Sequence, residues 1–206
     1  MTWSLDTSSA NHGVMSTSRS TAAPASSQAT LSLWRRWPTA VGLLGAAFVA
    51  VVSPDRETVV LALLIAVGCY LAAAALSTRW VAWAAIPIGG ALVVAGALIG
   101  IDPWFVLGGA SIVLVVLGLL LGASRTALAA QSIALVAYGG VALAALALGP
   151  AVGAVLASLA LVAHAIWDVI HYRRNAVVPR SLAEACMFFD VPLGVTIIVL
   201  ALAGLS

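Results

Sequence analysis

Seven long apolar runs joined by short polar links leave this chain one class of fold. They lie near 38–53, 58–77, 80–100, 104–122, 126–148, 151–171 and 184–204. Most approach the ~20 residues an α-helix needs to cross ~30 Å of hydrocarbon at about 1.5 Å per residue. No water reaches the backbone there, so runs of this length must be helices. The first run is short, and 34–37 is expected to complete it. The links hold Asp55, Arg56 and Glu57, then Ser77 to Arg79, Asp102 and Pro103, Ser124 and Arg125, and Gly149 and Pro150. Such short links force successive helices to run antiparallel. Composition agrees, with 63% hydrophobic and 8% charged residues, against roughly half and a quarter in a soluble domain. The expected fold is an all-α membrane protein, a seven-transmembrane-helix bundle.

Arginine placement sets the expected orientation. With the N-terminus cytoplasmic and the C-terminus outside, Arg19, Arg35, Arg36, Arg79, Arg125, Arg173, Arg174 and Arg180 all fall on the cytoplasmic side. Arg56 falls outside, beside Asp55 and Glu57. This is the positive-inside pattern, and adding or removing one span would scatter it. The expected location is the plasma (inner) membrane, with the lipid bilayer as the first partner.

Residues 1–33 are rich in Ser, Thr and Ala and read as a disordered cytoplasmic tail before a transmembrane domain over 34–206. Asp6 and the lack of an early apolar run argue against a targeting peptide. Arg35 and Arg36 before a short apolar run also fit a signal sequence, which leaves open whether that run is retained or cleaved. His12 lies in the tail.

Composition also excludes chemistry. All basic residues are Arg and none is Lys. A retinal Schiff base and a lysine nucleophile are therefore ruled out. A net charge of +2 gives no field for nucleic acid. Cys69 and Cys186 stand alone in apolar runs and read as packing residues. Gly96 with Gly100, and Gly118 with Gly122, form small-xxx-small strings that suit close helix contact and a homo-oligomer.

Ionisable residues concentrate late in the chain, where they are costly and usually serve a purpose. His164, Asp168 and His171 recur at i, i+4 and i+7. At about 100° per residue they share one helical face, bordered by Trp167. On the seventh run, Ser181 and Glu184 fit a capping box that would start the helix there. Asp190 then lies about two turns in and roughly 10 Å deep, level with His164. Gln131 and Tyr138, on one face of the fifth run, are expected to line the same space. Tyr70 is expected in the outer half of the bundle.

These residues support a His/Asp acid–base site near the cytoplasmic leaflet, in an intramembrane enzyme acting on a lipid or isoprenoid-like substrate. His164, Asp168, His171 and Asp190 are the catalytic candidates, because an Asp beside a His fixes its tautomer and a buried second carboxylate can act as acid. Arg173, Arg174, Arg180, Gln131, Tyr138 and Trp167 are the substrate-binding candidates, the arginines for an anionic headgroup. The alternative is a non-enzymatic protein whose His/Asp cluster only holds helices together. A transport path is poorly supplied, since the second to fourth runs carry no buried charge. A divalent metal is the less favoured cofactor. His164 and His171 stand ~10 Å apart along the axis, too far to share an ion. One His–Asp pair would need completion by Asp190, Glu184 or a water, and the expected set is Asp168, His171 and Asp190. Haem is not expected, because both histidines sit on one helix.

Overall fold

The computed structural model describes residues 36–205 of the 206-residue chain. The expected tail over 1–33, with Trp34 and Arg35, lies outside the described residues. Seven helices fill the rest: α1 (Trp37–Val52), α2 (Arg56–Ala75), α3 (Val81–Leu98), α4 (Pro103–Leu120), α5 (Arg125–Ala147), α6 (Pro150–Arg174) and α7 (Arg180–Leu202). No strand occurs among the described residues. Six helices are long and apolar enough to span a membrane. The exception is α1, whose 16 residues reach about 24 Å.

Local chemistry starts these helices where the sequence changes. Asp55 caps α2 by accepting the Thr58 N–H at 2.8 Å. Ser124 caps α5. Pro38, Pro103 and Pro150 occupy first turns, where a missing N–H does no harm. The expected capping box of Ser181 and Glu184 does not form, because α7 begins earlier, at Arg180. Both side chains turn instead to neighbouring helices. Ser181 accepts the Trp83 indole N–H at 3.1 Å, and Glu184 accepts the Thr39 hydroxyl at 2.5 Å.

The inner helix is α2, which packs against α3, α4, α5 and α6. The α6–α7 pair forms one flank, and α1 lies along α7. Small residues make the core: Ala142, Ala145, Ala154 and Ala157 surround Leu63, Leu161, Leu193 and Ile197. Large apolar side chains such as Leu44, Phe48, Val51, Leu98, Ile112 and Val136 point outward and are exposed. A bundle with alanine inside and leucine outside suits lipid, where helices associate by close packing. The chain is therefore a multi-pass helical membrane protein.

The two glycine strings serve the helices they end. Gly100 and Gly122 have φ of 74° and 71°, the left-handed backbone that glycine adopts without steric cost. The Ile101 N–H reaches Gly96 O and the Ala123 N–H reaches Gly118 O, both at 2.9 Å, closing α3 and α4 with Schellman turns. Within the chain, Gly96 packs on Val106, and Gly118 on Ala75 and Leu128.

Contacts between helix ends sort the arginines. The Arg79 guanidinium donates to Asn175 Oδ1 (2.5 Å) and Val178 O (2.7 Å), tying the α2–α3 link to the α6–α7 loop. Thr39 and Trp83 reach α7 at this same end. Leu128 of α5 packs on Ala75 of α2 there as well. Arg36, Arg79, Arg125, Arg173, Arg174 and Arg180 therefore share one end of the bundle. Arg56 lies at the other, donating to Leu148 O at 2.6 Å.

Candidate functional site

The α6–α7 hairpin builds the site. Asn175, in the left-handed region (φ 48°), ends α6, and a loop of four residues leads into α7. Val177 in that loop also has a positive φ, 65°, an unfavourable backbone for a β-branched residue. The loop is held by Arg79 and by Arg180, whose Nε donates to Tyr172 O at 3.0 Å. His164 stands ten residues before Arg174, and Asp190 ten residues after Arg180. Each therefore lies about 15 Å along its helix, and the antiparallel hairpin brings them level. This is deeper than the expected 10 Å, since α6 runs on to Arg174 and α7 starts at Arg180. The centre thus sits near mid-helix rather than close to the arginine end. Gly194 lets the helices approach, its Cα facing Ser158 O and Val162 of α6.

His164 Nδ1 is 2.8 Å from Asp190 Oδ2 and 3.5 Å from Asp168 Oδ2. Nδ1 therefore carries a proton that it donates to Asp190. The Tyr70 hydroxyl of α2 donates to Asp168 Oδ1 at 2.5 Å. The rings of Tyr70 and Tyr138 stand edge-on to the His164 ring, with centroids 5.7 and 5.3 Å away. His164, Asp168 and Asp190 each have 0% exposure. Even so, Asp168 Oδ2, Asp190 Oδ1 and His164 Nε2 make no hydrogen bond among the described residues. Buried polar atoms are normally paired, because each unmet one costs about 1–3 kcal/mol.

His171 belongs to a second, fully paired network. Its Nδ1 donates to Trp167 O at 2.9 Å, so its Nε2 is an acceptor, facing the Gln131 amide nitrogen at 3.3 Å. Gln131 Oε1 accepts the Trp167 indole N–H at 3.2 Å. Each group here has one role, and the ring is held neutral as the Nδ1–H tautomer. Among the described residues, the ligand atoms that lie within 4.8 Å of one another are those of His164, Asp168 and Asp190. The structure does not bring the expected set of Asp168, His171 and Asp190 together: His171 is held by Trp167 and Gln131, and His164 stands beside the two carboxylates.

The other expected residues scatter. Tyr138 donates to Ala163 O at 3.3 Å and covers His164 from the α5 side. Arg173 and Arg174 are exposed. Arg180 lies over the Tyr172 ring, 5.7 Å from its centroid. Arg180 holds the Tyr172 carbonyl in the last turn of α6, and Arg79 holds the Val178 carbonyl of the loop. Two apolar clefts, of about 600 and 320 Å³, open elsewhere, between α4 and α5 and between α3 and α4. Neither is lined by a residue of the centre.

Tyr70 is the residue that sequence reasoning missed. It was expected in the outer half, yet it lies five residues before the end of α2, in the half nearer the arginines. Asp168 lies six residues before the end of α6, and both helices end on that side. Counting depth from the helix ends would have paired them.

The fold and site define a class: a multi-pass helical membrane protein with a closed His–Asp–Asp–Tyr centre between α2, α6 and α7. Comparison with protein families, with curated proteins and with solved structures finds no match for this chain.

Proposed function

We propose that this chain is a seven-span membrane protein of the plasma membrane whose buried centre performs acid–base chemistry on a lipid-like substrate. The carrying observation is the meeting of three ionisable side chains at 0% exposure with an atom of each left unpaired. Polar pairs that only join helices contribute ~0.6 kcal/mol on average, less than the penalty for such unmet atoms. Groups kept at this disadvantage are characteristic of working sites. His164 serves as the proton-transferring group and Asp190 as its acid partner. Asp168, held by Tyr70, orients the imidazole.

The test uses purified protein in vesicles of total lipid extract, analysed by untargeted lipid mass spectrometry. Wild type should deplete at least one lipid class, and Asp190→Asn should slow that depletion by about 10²-fold or more. Identical lipid profiles for the two proteins would remove the enzymatic reading. The complete closure of the centre favours a second reading, in which it is a helix-holding element. On that reading Asp190→Asn lowers thermal stability and changes no lipid.

The arginine-rich end is assigned to the cytoplasm, which places the N-terminus inside and the C-terminus outside. A membrane-impermeant thiol reagent applied to intact cells should label Asp102→Cys and spare Asn175→Cys. Cys69 and Cys186 are both buried and leave the background low. Labelling of Asn175→Cys alone would invert the topology.

A further inference from the structure

We propose that His164, Asp168 and Asp190 together bind one divalent first-row metal ion, with zinc the best match, and that Tyr70 positions Asp168 for it. The inference deepens the acid–base reading of this centre, but it holds equally if the centre is structural. Three observations carry it.

The donor set comes first. One imidazole nitrogen and two carboxylate oxygens lie within 4.8 Å of one another. Ions that accept mixed nitrogen and oxygen donors at about 2.0–2.2 Å, zinc above all, suit such a set. Ligand atoms around a tetrahedral ion stand about 3.4 Å apart. His164 Nδ1 is already 2.8 and 3.5 Å from the two carboxylates. The remaining carboxylate–carboxylate edge is within 4.8 Å. Three protein ligands leave a fourth position, the open place that a catalytic zinc keeps for water or substrate.

The second observation is the unpaired oxygens. Among the described residues, Asp168 Oδ2 faces His164 Nδ1 without a hydrogen bond, and Asp190 Oδ1 has no partner. Asp168 Oδ1, by contrast, is held by the Tyr70 hydroxyl at 2.5 Å. One oxygen anchored by an outer partner and the other left free is the geometry of a metal-ligating carboxylate.

Charge is the third. Among the described residues no arginine hydrogen-bonds or forms an ion pair with this centre, and the chain has no lysine. Two carboxylates, a dication and a neutral imidazole that binds through Nδ1 and carries its proton on Nε2 instead sum to zero, the state that burial in hydrocarbon favours. His171 takes no part, as its nitrogens serve Trp167 and Gln131. Glu184 takes none either, since it is bonded to Thr39 of α1.

The experiment measures metal by plasma mass spectrometry on full-length protein purified with a histidine-free tag, in wild type, Asp168→Asn, Asp190→Asn and Tyr70→Phe. Wild type should carry about one ion per chain. After chelation, zinc chloride alone should raise its Tm. Asp168→Asn and Asp190→Asn should lose both properties, while Tyr70→Phe should bind about 10–100-fold more weakly. Because the zinc titration of wild type stands by itself, an unstable variant does not blunt the test. Metal-free wild type with no Tm response to zinc would overturn the proposal, as would equal metal content in wild type and Asp190→Asn. Bound metal without lipid turnover would retire the enzymatic reading and leave the metal site. Lipid turnover in metal-free protein would do the reverse.

Discussion

His164→Ala should destabilise the bundle by about 3–5 kcal/mol, the range for removing one partner of a buried charged pair. The imidazole stands between two carboxylates that share no hydrogen bond with each other. Without it, Asp168 keeps the Tyr70 hydroxyl, but Asp190 is left with no hydrogen-bond partner at 0% exposure. Asp190→Ala should cost less, because Asp168 Oδ2 already lies 3.5 Å from His164 Nδ1 and can close on it. Melts in a mild detergent, followed by tryptophan fluorescence, read both changes. Equal losses in the two variants would contradict the asymmetry.

The second large effect is expected far from any ionisable group. A Cβ on Gly42 would collide with the backbone carbonyl of Ala185 and the backbone of Phe188, where α1 crosses α7. Gly42→Ala must push two helix backbones apart, at the upper end of the ~1–3 kcal/mol typical of overpacking. Three residues on, a Cβ on Gly45 meets only the edge of the Phe189 ring at 3.2 Å, and a ring can turn aside. Gly45→Ala should therefore stay within about 0.5 kcal/mol of wild type. The same melts compare the pair, and Gly42→Ala behaving like Gly45→Ala would show that α1 does not pack on α7 as described.

Much of this was legible in the chain itself, because hydrocarbon allows few solutions. Apolar runs of spanning length, the first six joined by links of two to five residues, dictate antiparallel helices, and the observed helices follow the expected runs within a few residues, α7 starting four earlier. The pairing of His164 with Asp190 was also accessible, since a short loop and equal depth bring them level. Side-chain partners were less accessible. Ser181 and Glu184 match a capping pattern, yet Trp83 and Thr39 on other helices claim them, and local pattern carries no information on such tertiary competition. His171 shares a helical face with His164, but two turns further along it meets Gln131 and Trp167. Gly100 and Gly122 look like helix-packing residues until their positive φ shows them to be stops. The identity of α2 as the inner helix, and with it the role of Tyr70, depends on packing order, which no periodicity within one run encodes.

The central claim is that α6 and α7 share one coupled ionisable centre, and a double-mutant cycle over His164 and Asp190 tests it most directly. If the two groups act together, removing Asp190 in the His164→Ala background should relieve the bare carboxylate. The double variant should then be at least ~1.5 kcal/mol more stable than the sum of the single losses predicts, well inside the 0.5–3 kcal/mol range of contacting residues. Losses that add to within about 0.5 kcal/mol would mean the two side chains are independent, and the centre would not exist as described.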